Sequence, residues 1–426
     1  MTTDRPQAPY QVSTLTAPID SVVRLPGSKS LTIRALFTAA LASGESRIRR
    51  PLDSEDTRAA RRCLRSLGVE IEESSGGWLV AGADGLHATS EPLDAAESGL
   101  TARSLMAMAA LVEGRSLIVG QGRLPERPMS ELGDALRALG ADVDFKGPGL
   151  PAVVVGTGSI PGGAVVIDGS RTSQFATALL QVAPMAEDTL TVVIDDLRGS
   201  AGYLDLTLDV MQSFGADVER SGTTFRVSPT GYRAARYLVE PDASAAAYPM
   251  IAAAIAGGRV TVESLGSGSA QPDYRVSQVL AAMGCEVTAT DTSTTVAGDG
   301  PLKAIDLDLS DAPDGSLAVA VACLFAEGES RISGLGSLRH KESDRLQALA
   351  EQIENVGGRA RIDGDDLVIT PGLLRPAVIR TYSDHRIAMA FAIVGLVQPG
   401  IEIEDPQVVA KTWPRFWDFL SSLRTD

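Results

Sequence analysis

Residues 136–155 read LRALGADVDFKGPGLPAVVV: an amphipathic stretch ending on Leu139 and Gly140, an alternating segment, a Gly/Pro turn and a second apolar segment. Gly suits a helix C-terminus because the residue after the last turn adopts a left-handed conformation, and apolar/acidic alternation marks a half-buried strand. The stretch therefore predicts a helix running into a β-hairpin. The pattern recurs as LRSLGVEIEESSGGWLV (64–80), MQSFGADVERSGTTFRV (211–227), LAAMGCEVTATDTSTTV (280–296) and IENVGGRARIDGDDLVI (353–369). The marker glycines Gly68, Gly140, Gly215, Gly284 and Gly357 lie 69 to 75 residues apart, a period that implies a repeat architecture.

Between the hairpins lie stretches that are apolar nearly all round, starting near Lys29, Gly99, Ser173, Ala243, Asp314 and Asp384. A helix without a polar face is a core helix. Six core helices against five hairpins leave one hairpin to find. Short strands are expected at 10–15 and 21–25, and a last amphipathic helix at 414–423 has no strands after it, so the chain's beginning is expected to close its last unit. Six units of about 70 residues exceed one compact core, which predicts two lobes of three units. The lobe with both termini is expected to comprise 1–25 and 237–426, and the other 26–236.

The 426 residues carry 54 acidic against 38 basic side chains, a net charge of −16. That balance argues against a general binder of nucleic acid or of anionic membranes. The longest apolar runs, near 245–256 and 387–397, fall short of the roughly 18 residues of a membrane span. With no basic-then-apolar leader and three scattered cysteines (Cys63, Cys285, Cys323), the expectation is a cytoplasmic protein without disulfides. No HExxH, paired-Cys or acidic calcium-loop pattern occurs, nor GxGxxG or a P-loop, so neither a metal nor a nucleotide cofactor is expected.

Each core helix is preceded by a polar, small-residue stretch: PGSKSLTIR (26–34), ESGLTARSL (97–105), DGSRTSQF (168–175), EPDASAAAY (240–248), APDGSLA (312–318) and TYSDHRIAM (381–389). Ser, Thr and Asp there serve as ordinary N-caps. Capping does not account for Lys29, Arg103 and Arg386, which oppose the helix dipole and imply a bound anion. GRLPERPM (122–129) and LRHKESDRL (338–346) add Arg123, Arg127, Arg339, Lys341 and Arg345. Among these cations Asp314 and Glu342 are candidates for proton transfer. Of three histidines, His385 begins a core helix, whereas His87 and His340 read as surface residues. If the core helices of each lobe run parallel, their starts converge on a basic pocket between the lobes.

PGSKSLTIRAL, ERPM, DGSRTSQFATALL, YLVEPDAS, PDGSLA, HKESDRL, TYSDHRIAMAF and AKTWPRFW, spread over almost the whole chain, resemble the enolpyruvyl transferases in order and approximate spacing. The resemblance implies an α/β fold, a two-lobed inside-out α/β barrel of six βαβαββ repeats with its active site in the interdomain cleft. It is closest to the branch that moves the enolpyruvyl group of phosphoenolpyruvate (PEP) onto the 5-hydroxyl of shikimate 3-phosphate in aromatic amino-acid biosynthesis. That reaction adds to a tetrahedral intermediate, then loses phosphate, and needs no cofactor. The implied catalytic residues are Lys29, Asp314, Glu342 and His385. Shikimate 3-phosphate would be held by Lys29, Ser30, Arg34, Thr172, Ser173, Gln174, Ser200, Tyr203, Asp314, Ser337 and Lys341. PEP would be held by Lys29, Gly99, Arg127, Gln174, Arg345, His385, Arg386 and Lys411. The implied partners are these small molecules, not nucleic acid or membrane, and the implied form is a monomer.

Four positions depart from the family pattern: Glu97 stands for an Asn, Leu100 for a Thr, Ser104 for a Pro, and Ser337 for an Asn that contacts shikimate 3-phosphate. Glu97 is awkward beside a phosphate unless something turns it away, and Leu100 and Ser104 are expected to weaken compact PEP mimics such as glyphosate. Two rival readings are the sister transferase acting on UDP-N-acetylglucosamine, whose reactive Cys is missing from GQGRLPERPM, and an inactive metabolite-binding paralogue.

Overall fold

A computed structural model describes residues 8–82, 85–197 and 201–424. Twelve α-helices are described: α1 (Lys29–Leu41), α2 (Glu55–Ser66), α3 (Gly99–Ala110), α4 (Ser130–Ala138), α5 (Gln174–Val182), α6 (Gly202–Ser213), α7 (Ala243–Ala256), α8 (Arg275–Ala282), α9 (Ser316–Ala322), α10 (Arg345–Asn355), α11 (His385–Gly395) and α12 (Phe416–Ser422). The odd-numbered six are the apolar stretches of the sequence. They are buried almost throughout, because a helix with no polar face finds its lowest free energy with every side out of water. Helices α2, α4, α8 and α10 each bury one face, and each gives way to a glycine at positive φ: Gly68, Gly140, Gly284 and Gly357. Gly215 does the same after α6. All five glycines lead into the hairpins expected of them.

The chain forms two units, Gly27–Glu240 and Met1–Pro26 with Pro241–Asp426. In the first, α1, α3 and α5 pack on one another within one hydrophobic core. In the second, α7, α9 and α11 do the same within another. Each full sheet is mixed. Across α3, α5 and α11 the strand before the helix and the strand after it form a parallel pair, as a crossover connection allows, and in the first two of these sheets the hairpin adds two antiparallel strands.

The expected inside-out barrel is not formed: among the described residues no sheet closes on itself. Among the described residues, three separate sheets lie around the helices of the unit Gly27–Glu240 and four, one of them only two-stranded, around those of the other, and each ends in edge strands rather than bonding to the next. Closure needs a continuous, staggered ladder. Here each ladder stops after four or five strands at most, and the interior is filled by helices. The correct description is a two-unit α/β fold with open mixed sheets.

The N-terminal strands also divide their roles. Tyr10–Gln11 pairs antiparallel with Ile401–Ile403 and so completes the last sheet, as expected. Ile19–Val23 instead pairs parallel with Gly258–Glu263 and opens a different sheet. Reciprocally, Arg236–Leu238, just before the second crossing, pairs with Ala42–Arg49, just after the first.

Candidate active site

In the unit Gly27–Glu240 the polar helix starts gather predicted site residues. Ser28 caps α1, and the Lys29 Nζ that follows lies 3.1 Å from Asp56 Oδ2, which sits in the first turn of α2. The cation that opposes the α1 dipole is thus answered by a buried carboxylate. Ser98 caps α3, with Gly99 as its first residue. A Cβ on Gly99 would come within 2.8 Å of both the Arg103 and the Arg127 guanidinium, so glycine is what lets two cations close over this helix end. Arg103 also donates to Gln174 Oε1 (2.6 Å) and to the Pro128 carbonyl (2.8 Å). Gly99, Arg127 and Gln174 therefore stand together. Arg127 is buried, and its Nε has no hydrogen-bond partner among the described residues.

Thr172 Oγ1 accepts from the Gln174 amide, and Ser173 is buried at the start of α5. Arg34 is deeper than a surface ligand. It is 1% exposed and donates to Thr207, Thr177 and the Ser30 and Tyr203 carbonyls, so its guanidinium ties the backbones of two other predicted residues to the core. Burial without a carboxylate partner lowers it to about 10. Ser200 lies outside the described residues.

The departures from the family pattern find local answers. Glu97 is half-buried and turned onto Gly122, where a Cβ would meet its carboxylate oxygen at 2.5 Å. Leu100 is buried in the core. Ser104 is held, not loose: it donates to Gln181 Oε1 at 3.2 Å, and Gln181 in turn donates to the Arg34 carbonyl and to Thr38, joining three core helices.

The other unit carries a denser array. Arg345, the first residue of α10, is 1% exposed and reaches Asp384 (Nε to Oδ2, 2.8 Å), Asp314 (2.9 Å) and Glu342 (2.9 Å). Arg386 pairs with Asp314 Oδ2 at 2.8 Å, Lys341 stands 3.8 Å from Asp314 Oδ1, and Lys411 stands 3.7 Å from Glu342. The i,i+4 repulsion between Lys341 and Arg345 is thereby relieved by a shared carboxylate. Asp384 caps α11, accepting from the Arg386 amide, while also receiving Ser343. His385 is fully buried, its Nδ1 3.7 Å from Asp384 Oδ1. Ser337 Oγ is buried without a hydrogen-bond partner among the described residues.

Burial pushes the Asp314 carboxyl up, but Arg386, Lys341 and Arg345 together outweigh it and hold the group well below the usual carboxylate range. Burial would lower Arg345, yet Asp384, Glu342 and Asp314 keep it above the ordinary arginine value. Both cations stay charged at any working pH, and Asp314 stays ionised beside them.

Sequence reasoning missed Asp56, Asp384 and Gln181 as members of these arrays. Asp384 was legible as a cap directly before His385, but its bidentate hold on Arg345, thirty-nine positions away, leaves no local mark. Among the described residues no group of three His, Cys, Asp or Glu could hold a metal ion, and no helix is long and apolar enough to cross a membrane.

Comparison with known proteins first defines a class. The structure matches that of the enolpyruvyl transferase NikO from Streptomyces tendae with a TM-score of 0.77 over 99% of this chain and 98% of that one, at 16% identity, which speaks for the fold alone. It matches EPSP synthase from Acinetobacter baumannii with a TM-score of 0.83 at 26% identity, over 98% of both chains. Residues 14–420 match the EPSP synthase (3-phosphoshikimate 1-carboxyvinyltransferase) family, and the chain belongs to it. Relatives described as 3-phosphoshikimate 1-carboxyvinyltransferase include those of Methanoculleus marisnigri, 42% identical over 95% of this chain and 97% of that protein, and Colwellia psychrerythraea, 40% identical over the same shares.

Proposed function

We propose that these two charged arrays carry out the reaction of the family, transfer of the enolpyruvyl group of PEP to shikimate 3-phosphate in the shikimate pathway. The observation that carries the reading is the Asp314 carboxylate, bound through both oxygens by Arg345 and Arg386 with Lys341 beside it. A base surrounded by anion-binding cations suits a reaction between two phosphorylated substrates.

In the reaction the 5-hydroxyl oxygen bonds to C2 of PEP as its proton leaves to Asp314, and C3 gains a proton to become a methyl group. The resulting tetrahedral intermediate then loses a C3 proton and inorganic phosphate, restoring the double bond. Arg127, Arg345, Arg386 and Lys411 bind the phosphate and carboxylate of PEP, with Gly99 allowing close approach and Gln174 between the substrates. Ser30, Thr172, Ser173, Ser200, Tyr203, Ser337 and Lys341 hold shikimate 3-phosphate, with Arg34 bracing Ser30 and Tyr203 from beneath. Glu342, paired with Lys411, and Lys29 serve the proton transfers at C3, with His385 close by.

Asp314 is too acidic in its resting ion pairs to be a good base. Substrate anions compete for the same guanidinium groups, and each contact drawn off Asp314 raises its basicity when both reactants are present. The reading needs no cofactor. The net charge of −16 argues against nucleic acid or an anionic membrane as a partner, and a cytoplasmic monomer is the form we propose.

The test is release of inorganic phosphate from PEP with shikimate 3-phosphate, beside PEP with UDP-N-acetylglucosamine. Turnover is expected with the first acceptor only. Asp314→Asn and Glu342→Gln should each lower kcat by about 10²- to 10⁴-fold while still binding shikimate 3-phosphate. Turnover with the nucleotide sugar, or unchanged kcat in both variants, would sink the assignment.

A further inference from the structure

Gln271 and, in the 3₁₀ turn Pro272–Tyr274 that leads into α8, Asp273 have been given no role above. Asp273 is 2% exposed. Its Oδ1 accepts from the Gly315 amide at 2.9 Å, and its Oδ2 receives the Ser244 hydroxyl of α7. Gly315 is pressed onto this segment: a Cβ there would stand 2.6 Å from Val276 and 3.3 Å from Asp273 Oδ1. The residue before Gly315 is Asp314. Gln271 works alongside, accepting from the Ala243 amide at 3.1 Å and donating to the Pro241 carbonyl at 2.7 Å, so one short 3₁₀ segment and the residue before it fix the starts of both α7 and α9.

A carboxylate is costly to bury for packing alone, since apolar residues fill space without desolvating a charge. Ionised Asp273 is further disfavoured by burial and by the charge of Asp314, and is only partly relieved by Arg386 on α11, Ser244 on α7 and the Gly315 amide just before α9. Its position has to be explained by what it holds. We propose that Asp273 is a positioning residue for the transfer reaction: its carboxylate anchors the peptide that carries Asp314 and so aims that base between Arg345 and Arg386. The proposal rests on the reading of Asp314 as the base. It assigns the effect to the acceptor oxygen over Gly315 and not to the negative charge.

The test compares steady-state phosphate release by full-length wild type, Asp273→Ala, Asp273→Asn, Ser244→Ala, Asp314→Asn and the Asp273→Ala/Asp314→Asn double variant, each checked for folding by its thermal transition. A base misplaced by about 1 Å costs on the order of 10²-fold in rate, so Asp273→Ala should lose about that factor in kcat while KM for PEP changes little. Asparagine keeps an oxygen for Gly315 and an amide for Ser244, and should restore most of kcat. The double variant should be no slower than Asp314→Asn alone, because Asp273 acts through Asp314. Wild-type kcat in Asp273→Ala, equal loss in the alanine and asparagine variants, or additive losses in the double variant would each overturn the proposal. Should Asp273→Ala not fold, Ser244→Ala has to lower kcat without moving KM, and an unchanged kcat there overturns it. Wild type that releases no phosphate would sink the reading of Asp314 itself, an outcome separate from any of these.

Discussion

At the scale of single residues, the charged array of the second unit couples acid stability to function with opposite signs at two neighbouring aspartates. Asp314 has a folded pKa below its ordinary value of 3.8, so the stability it contributes is present at neutral pH and is lost as pH falls through that value toward the folded one. Asp273 has a folded pKa above 3.8, so what it contributes is complete in acid and is lost as pH rises through the raised value. Urea unfolding at neutral pH should therefore find Asp314→Asn less stable than wild type and Asp273→Asn more stable. Both differences should shrink below about pH 4 as the carboxyls protonate. Differences that persist unchanged in acid would mean that packing, not charge, sets them. The residue scale is also where the sequence is most and least informative. Lys29, Arg386 and Asp314 stood out because charges at helix starts contradict the dipole or invite it. Asp56 and Asp273 did not, because each meets its partner only through tertiary packing.

At the scale of elements, the sequence was legible wherever one period governed a whole segment. The all-apolar helices and the Gly-terminated amphipathic helices were read within a few residues, since burial and the left-handed C-terminal residue are local requirements. The strands at 19–23 were harder, because which sheet a short strand joins is decided by a partner more than two hundred residues away. The aromatic residues behave likewise. Few in the sequence, they gather at the C-terminal helix: Trp413 stacks on Phe419 at 4.6 Å, and Phe416 meets Trp413, Trp417 and Tyr248 edge-on. This cluster follows the 3₁₀ segment Pro406–Lys411 that carries Lys411, and Trp417 donates back to the Pro406 carbonyl. Phe416→Ala should lower unfolding free energy by about 3–5 kcal/mol, measured by urea titration. It should also raise KM for PEP more than it lowers kcat, because it loosens Lys411, the cation proposed above to bind PEP, and leaves the Asp314 array in place.

At the scale of the whole molecule, two buried cores rather than one make the chain's chemistry selective in what it leaves out. All three cysteines are buried free thiols, and burial pushes Cys63 and Cys323 up to about 12 and Cys285 up to about 11. Reactive thiols are exposed and thiolate-forming, and these are neither. A thiol-titrating reagent at neutral pH should find no rapid reaction in the native protein and full reaction in denaturant; fast native labelling would contradict the two intact cores. The family resemblance also implied inside-out barrels at this scale, and that expectation failed: the repeat counts units but does not say whether the edges of successive sheets bond, and here they do not.

The strand pairings beside the two crossings bear on how the protein is made. Ile19–Val23 is synthesised early but finds its partner, Gly258–Glu263, only after the whole Gly27–Glu240 unit has been translated. During synthesis the unit Gly27–Glu240 can close first, with its own strand Arg236–Leu238 as the final piece, while Ile19–Val23 waits for a partner strand that has not yet been made. A circular permutant joined across the present termini and opened between Glu240 and Pro241 would bring both halves of that sheet into one continuous stretch, and vectorial folding would then proceed one unit at a time.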